Sequence, residues 1–107
     1  MARDPIEGLE EALAEVSGVR LAFLFGGRGR GEQRPGSDFD IAVLVDPERA
    51  REPGARLQII RSLAGRLGRE VASNSLDIVL LNNASPLLRH RVIRDGRLLF
   101  ERSAEER

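Results

Sequence analysis

Near the start of the chain, Ile6, Leu9, Leu13 and Val16 recur at the three- and four-residue spacing of a helix buried on one face. Asp4, Pro5 and Glu7 precede and open this stripe as N-cap, first helical residue and returning acid, and Gly18 closes it. From Val19 to Phe25 the chain is apolar except at Arg20, which predicts a mostly buried strand ending at Gly26 and Gly27. A Gly- and Arg-rich loop leads to a second strand, Asp38 to Val45, stopped by Asp46 and Pro47. After a charged stretch through Pro53 and Gly54, the residues Ile60, Leu63, Ala64, Leu67 and Val71 mark one face of a long helix. A third strand follows from Leu76 to Leu81. Ser85 and Pro86 then open a short helix carrying Leu88 and Val92, ended by Asp95 and Gly96, and a fourth strand runs from Arg97 to Glu101.

These elements fit one small α/β (α+β) domain over residues 1–101, a mixed sheet of about four strands with helices packed on it, followed by a polar tail at 102–107. The 107 residues have no room for a second, substrate-binding domain. Seventeen arginines, with no lysine, balance seventeen acids, so net charge gives no steering toward nucleic acid or an anionic membrane. No cysteine and a single histidine exclude thiolate and histidine-rich metal sites and leave only a hard cation on oxygens. The N-terminus lacks an apolar signal region, and the apolar runs are far shorter than the roughly 20 residues of a membrane span, so a soluble, cytoplasmic protein is expected.

One long helix between the second and third strands predicts a right-handed βαβ unit with parallel strands. Asp38 and Asp40 stand two apart at the start of the second strand and therefore share a face; Asp77 stands at the start of the third. The three carboxylates converge at one sheet edge provided that the strands are neighbours and Asp77 faces the same way. Each has a plainer reading as well. Asp-x-Asp also suits a solvated strand entry, and Asp77 within LDIVLL needs a partner that is equally well an arginine or a metal. A cation shared by all three would relieve their repulsion, with magnesium the first candidate. Gly26 and Gly27 would let backbone N–H groups face a phosphate beside Arg28 and Arg30, although such a loop is also an ordinary turn.

The stretch FGGRGRGEQRPGSDFDIAVLVD resembles the signature of the polymerase-β-like nucleotidyltransferases, in which a Gly-Ser pair is followed ten residues later by Asp-x-Asp. Gly26 takes the Gly position, Gly27 the Ser position, Ser37 precedes the first aspartate, and Asp77 matches the third carboxylate. The chain is similar over nearly its whole length to the minimal nucleotidyltransferases, including the tail PLLRHRVIRDGRLLFER. That resemblance implies the polymerase-β-like fold and a site in which Asp38 and Asp40 hold two Mg2+ ions while Asp77 holds one and helps to deprotonate the acceptor. It further implies a nucleotide held by Gly26, Gly27, Arg28 and Ser37.

The same resemblance implies a function: AMP transfer from ATP to a tyrosine of a helical HEPN-type toxin, for which the chain is the antitoxin. The departure at Gly27 removes a hydroxyl contact, a loss of about 1 kcal/mol or somewhat more in transition-state binding. It leaves open a second reading, a non-catalytic binding antitoxin, and a third, transfer to a small molecule, is weakened by the missing acceptor domain. Direct nucleic-acid binding is not expected. His90, among Arg89, Arg91 and Arg94, reads as a surface or interface residue and not a general base; its Arg-rich helix face is solvent-facing or meets an acidic partner or nucleic acid.

Overall fold

The computed structural model describes residues 5–25, 39–71 and 76–102. Four strands form one sheet in the order β3-β2-β1-β4. Strand β1 (Val19–Phe25) lies antiparallel to both β2 (Phe39–Val45) and β4 (Arg97–Glu101), whereas β2 and β3 (Leu76–Leu80) are parallel. The parallel pair follows from the long crossover, which carries two helices, α2 (Pro47–Arg51) and α3 (Ala55–Leu67). Helix α1 (Pro5–Glu15) precedes β1, and α4 (Pro86–Asp95) joins β3 to β4.

Strand alternation divides the core into two layers. Phe39, Ile41, Val43 and Val45 of β2 pack with Leu9 and Leu13 of α1 and with Ile59, Leu63 and Leu67 of α3. On the opposite face Phe23, Ala42, Leu81 and Val92 form a smaller cluster beneath α4. Burial of these side chains drives the fold, each fully buried Leu or Val contributing about 1.5–3 kcal/mol. The Arg66–Glu15 ion pair between α3 and α1 is largely exposed and adds little.

Three details depart from the sequence expectation. The charged stretch after β2 contains α2, opened by Asp46, whose carboxylate accepts a hydrogen bond from the Glu48 N–H at 3.4 Å, and by Pro47 at the first turn. In α3 the buried stripe is Ala55, Ile59, Leu63 and Leu67; Ala64 is exposed, and Val71 packs on the core from beyond the helix end. Leu81 leaves β3 and begins a single 3₁₀ turn, Leu81–Asn83. There the Asn82 side chain replaces the strand ladder: its Oδ1 accepts from Val45 N–H and its Nδ2 donates to the Val45 carbonyl, both at 2.9 Å.

At the opposite edge, Arg102 closes the domain. Its backbone N–H donates to the Arg20 carbonyl, and its guanidinium donates to the carbonyls of Val19 and Ala14. The rest of the predicted tail, 103–107, lies outside the described residues. Among the described residues no helix is long and apolar enough to cross a membrane.

Replacing Asn82 by Ala leaves both backbone groups of Val45 without this partner. A destabilisation of about 1–3 kcal/mol is expected, read as a lower thermal midpoint, whereas Asn83→Ala on the exposed side of the same turn leaves the midpoint nearly unchanged.

Candidate active site

Parallel pairing of β2 and β3 sets Asp40 directly against Asp77 in register, between the pairs Phe39–Leu76 and Ile41–Ile78. Neighbouring strands stand about 4.8 Å apart, so the two carboxylates leave the sheet side by side. Both point away from the main core: the flanking Phe39, Ile41, Leu76 and Ile78 all pack into it. The condition that the sequence left open, adjacency of the strands and a common facing, is therefore met for Asp40 and Asp77. Asp40 is partly exposed and Asp77 exposed.

The antiparallel pairing of β1 with β2 extends the row, because Phe25 is the register partner of Asp40. Phe25, Asp40 and Asp77 thus line the α4 face of three successive strands, at the edge where β1 ends and β2 and β3 begin. Phe25 belongs to the α4-side cluster, so its ring forms an apolar wall next to the carboxylates. Sequence reasoning missed this role, although alternation counted back from Gly26 would have indicated it.

Asp38 lies outside the described residues, as do Gly26, Gly27, Arg28 and Ser37. Among the described residues no three acidic, histidine or cysteine side chains gather closely enough to hold a metal ion. The donor set that is described, two carboxylates at adjacent register positions open to solvent, has the all-oxygen chemistry of a hard divalent cation.

Helix α4 brings the chain back to this edge. It ends at Gly96, where a Cβ would stand 2.5 Å from the Val92 carbonyl oxygen, so only glycine permits the turn into β4. Arg97 then pairs with Leu24, next to the end of β1. Arg89, read from the sequence as one of a solvated Arg face, is instead partly committed: its guanidinium donates to the carbonyls of Leu81 and Asn82. His90 is exposed on α4.

A cleft of about 550 Å³ opens at the other edge of the sheet, lined by Gly18, Arg20, Asp46, Arg49 and Arg102 among others. Its charges are mixed, and several are used in place, Asp46 capping α2 and Arg102 bonding backbone carbonyls. The carboxylate row, and not this cleft, carries the chemistry that the sequence singled out.

Residues 7–105 match the family model described as Polymerase beta, Nucleotidyltransferase. The chain belongs to this family. A curated member, the protein adenylyltransferase MntA of Aphanizomenon flos-aquae (strain 2012/KM1/D3), is 34% identical over 99 residues. The match covers 88% of this chain and 65% of that protein, so the chain spans just under two thirds of its relative's length. Among solved nucleotidyltransferase relatives, a toxin–antitoxin structure with AMP-PNP superposes with a TM-score of 0.68 at 28% identity, covering 94% of this chain and 77% of the other. A tri-AMPylated Shewanella oneidensis HEPN toxin in complex with MNT antitoxin gives 0.61 at 25% identity, covering 92% and 71%. The mixed four-stranded sheet with its helices is therefore the polymerase-β-like nucleotidyltransferase fold.

Like charges at directly opposed strand positions are destabilising by roughly 0.2–1 kcal/mol. Asp77→Asn is accordingly expected to hold or slightly raise the thermal midpoint in metal-free buffer while weakening nucleotide-dependent Mn2+ binding at least tenfold, as followed by calorimetric titration.

Proposed function

We propose that the chain is a Mg2+-dependent nucleotidyltransferase that moves AMP from ATP to a tyrosine hydroxyl of a HEPN-type toxin and thereby acts as its antitoxin. The observation that carries this reading is the register pairing of Asp40 with Asp77 on one open face of the sheet. The name of the Aphanizomenon relative, an adenylyltransferase, and the AMPylated toxin in the Shewanella complex support the choice of reaction and acceptor. The AMP-PNP complex supports a nucleoside triphosphate as donor. This reading places the protein in the cytoplasm, where ATP and the acceptor are available.

In the proposed step the acceptor oxygen attacks the α-phosphorus of ATP, the bond from that phosphorus to the bridging oxygen of the β-phosphate breaks, and pyrophosphate leaves. The acceptor's proton passes to Asp77 and then to solvent. Asp38 and Asp40 would hold two Mg2+ ions and Asp77 one of them, and the Gly26 and Gly27 backbone N–H groups, Arg28 and Ser37 would meet the phosphates; for Asp38 and the four loop residues this rests on sequence alone. Bound at these carboxylates, magnesium supplies charge neutralisation for the phosphates and acidifies the attacking hydroxyl. Phe25 shields one side of the row from water, which strengthens the electrostatic interactions beside it.

Gly27, standing where the family places a serine, favours a second reading: a binding antitoxin that neutralises its partner without transfer. Incubation with α-labelled ATP, Mg2+ and the HEPN protein separates the two. Label on the HEPN tyrosine, lost at least 100-fold with Asp40→Ala, is the expected result; no label, with Asp40→Ala equally protective, establishes binding alone. Gly27→Ser restores a hydroxyl worth about 1 kcal/mol and is expected to raise the transfer rate roughly fivefold, measured as initial rate of label incorporation.

A further inference from the structure

Helix α4 buries Val92 and part of Leu88 against the sheet, while two of its apolar side chains are left outside: Leu87 is 69% and Ile93 63% exposed. Leu98, at the start of β4, is 48% exposed and lies on the same face of the sheet, since its register partner Phe23 belongs to the cluster beneath α4. Isolated exposed apolar residues are ordinary, but Ile93 and Leu98 flank the end of α4 that returns to the carboxylate edge, and Leu87 extends the exposed apolar surface back to the helix's first turn. The charge around them is one-sided. Residues 86–98 contain Arg89, Arg91, Arg94 and Arg97 against Asp95 alone, a local excess of three positive charges in a chain that is neutral as a whole. Helix α1, on the opposite face of the sheet, holds Glu7, Glu10, Glu11 and Glu15 and no base.

We infer that the outward face of α4 together with the start of β4 is the docking surface for the acceptor protein, which meets it with a helix whose apolar stripe is rimmed by acidic residues. This rests on the reading that the acceptor is a protein. Leu87, Ile93 and Leu98 supply the water-excluding centre of such a contact, and Arg91, Arg94 and Arg97 its charged rim. The arginine already paired with Asp95 is held in place by that contact, at 2.9 Å, which reduces the side-chain entropy lost on binding. Because α4 lies on the same sheet face as Asp40 and Asp77, a protein seated there has its adjoining segment over the carboxylate row. A nucleic acid fits the surface less well, because the patch offers aliphatic side chains where base stacking needs aromatic ones.

The test measures binding apart from transfer. A fluorescently labelled HEPN-type toxin is titrated with the wild type, Ile93→Glu, Arg91→Glu/Arg94→Glu and Asp40→Asn, each checked for an unchanged thermal midpoint and retained binding of a fluorescent ATP analogue, the latter not required of Asp40→Asn. Affinity falling at least tenfold in the two α4 variants, and by no more than about twofold in Asp40→Asn, is the expected result. Wild-type binding that the α4 variants leave intact overturns the docking surface alone; no binding by the wild type overturns the acceptor reading and the surface with it. Two further arms assign the face elsewhere and also overturn the inference: wild-type binding of a labelled single-stranded RNA, or self-association in sedimentation, lost in either case with Ile93→Glu in place of any effect on HEPN binding.

Discussion

The register of the parallel β2–β3 pair is the constraint on which everything else depends. A strand carries side chains to alternate faces, so a slip of one residue would set Asp77 among the apolar core and Ile78 beside Asp40. Burial prevents that slip. Phe39, Ile41, Val43 and Val45 on β2 and Leu76, Ile78 and Leu80 on β3 all pack into the α1–α3 layer, and the opposite phase would expose them and bury a carboxylate. Asn82 pins the far end of the same pair, where the backbone ladder stops and a side-chain amide completes it. The hydrophobic effect thus fixes the position of the two acidic groups.

The functional arrangement uses the surface that this packing leaves over. Two helices of the crossover and the N-terminal helix cover one face of the sheet. Among the described residues only α4 covers the other, and Asp77, at the starting edge of β2 and β3, is exposed. A small domain cannot build walls around a nucleotide on every side, and here the end of β1 at Phe25 and the return of the chain through Gly96 to Arg97 supply what enclosure the described residues provide. On the proposed reading, an acceptor protein seated on α4 would complete the site from outside.

Much of this was legible in the sequence where local chemistry and tertiary packing ask for the same thing. The stretch from Val19 to Phe25 reads correctly as a strand because its apolar run lies between Gly18 and Gly26, and the span Arg97–Glu101 because its apolar centre follows the break at Gly96. Ser85 and Pro86 marked the start of α4 through a cap, and the Ser85 hydroxyl indeed accepts from the Leu88 N–H. The same signal at Asp46 and Pro47 suggests only a strand stop, because the five residues of α2 put Ala50 alone, and only in part, against the core and leave no periodic stripe to see. The stripe of α3 was placed one position off at Ile60 and Ala64, since several apolar residues compete there and only the packed sheet decides which face turns inward. Asn82 gave no signal at all: its partner is 37 residues away, and its role exists only once β2 and β3 are paired. Of the candidate site, pattern brought Asp40 and Asp77 together; the glycine loop and Asp38, by contrast, have their support in motif spacing.

The central claim, that the paired carboxylates are a metal–nucleotide site, is tested most directly by diffraction from crystals of the protein grown with Mn2+ and a non-hydrolysable ATP analogue, using the anomalous signal of manganese. Manganese within coordination distance of carboxylate oxygens of both Asp40 and Asp77 is the expected result. Bound nucleotide with manganese away from both residues would contradict it.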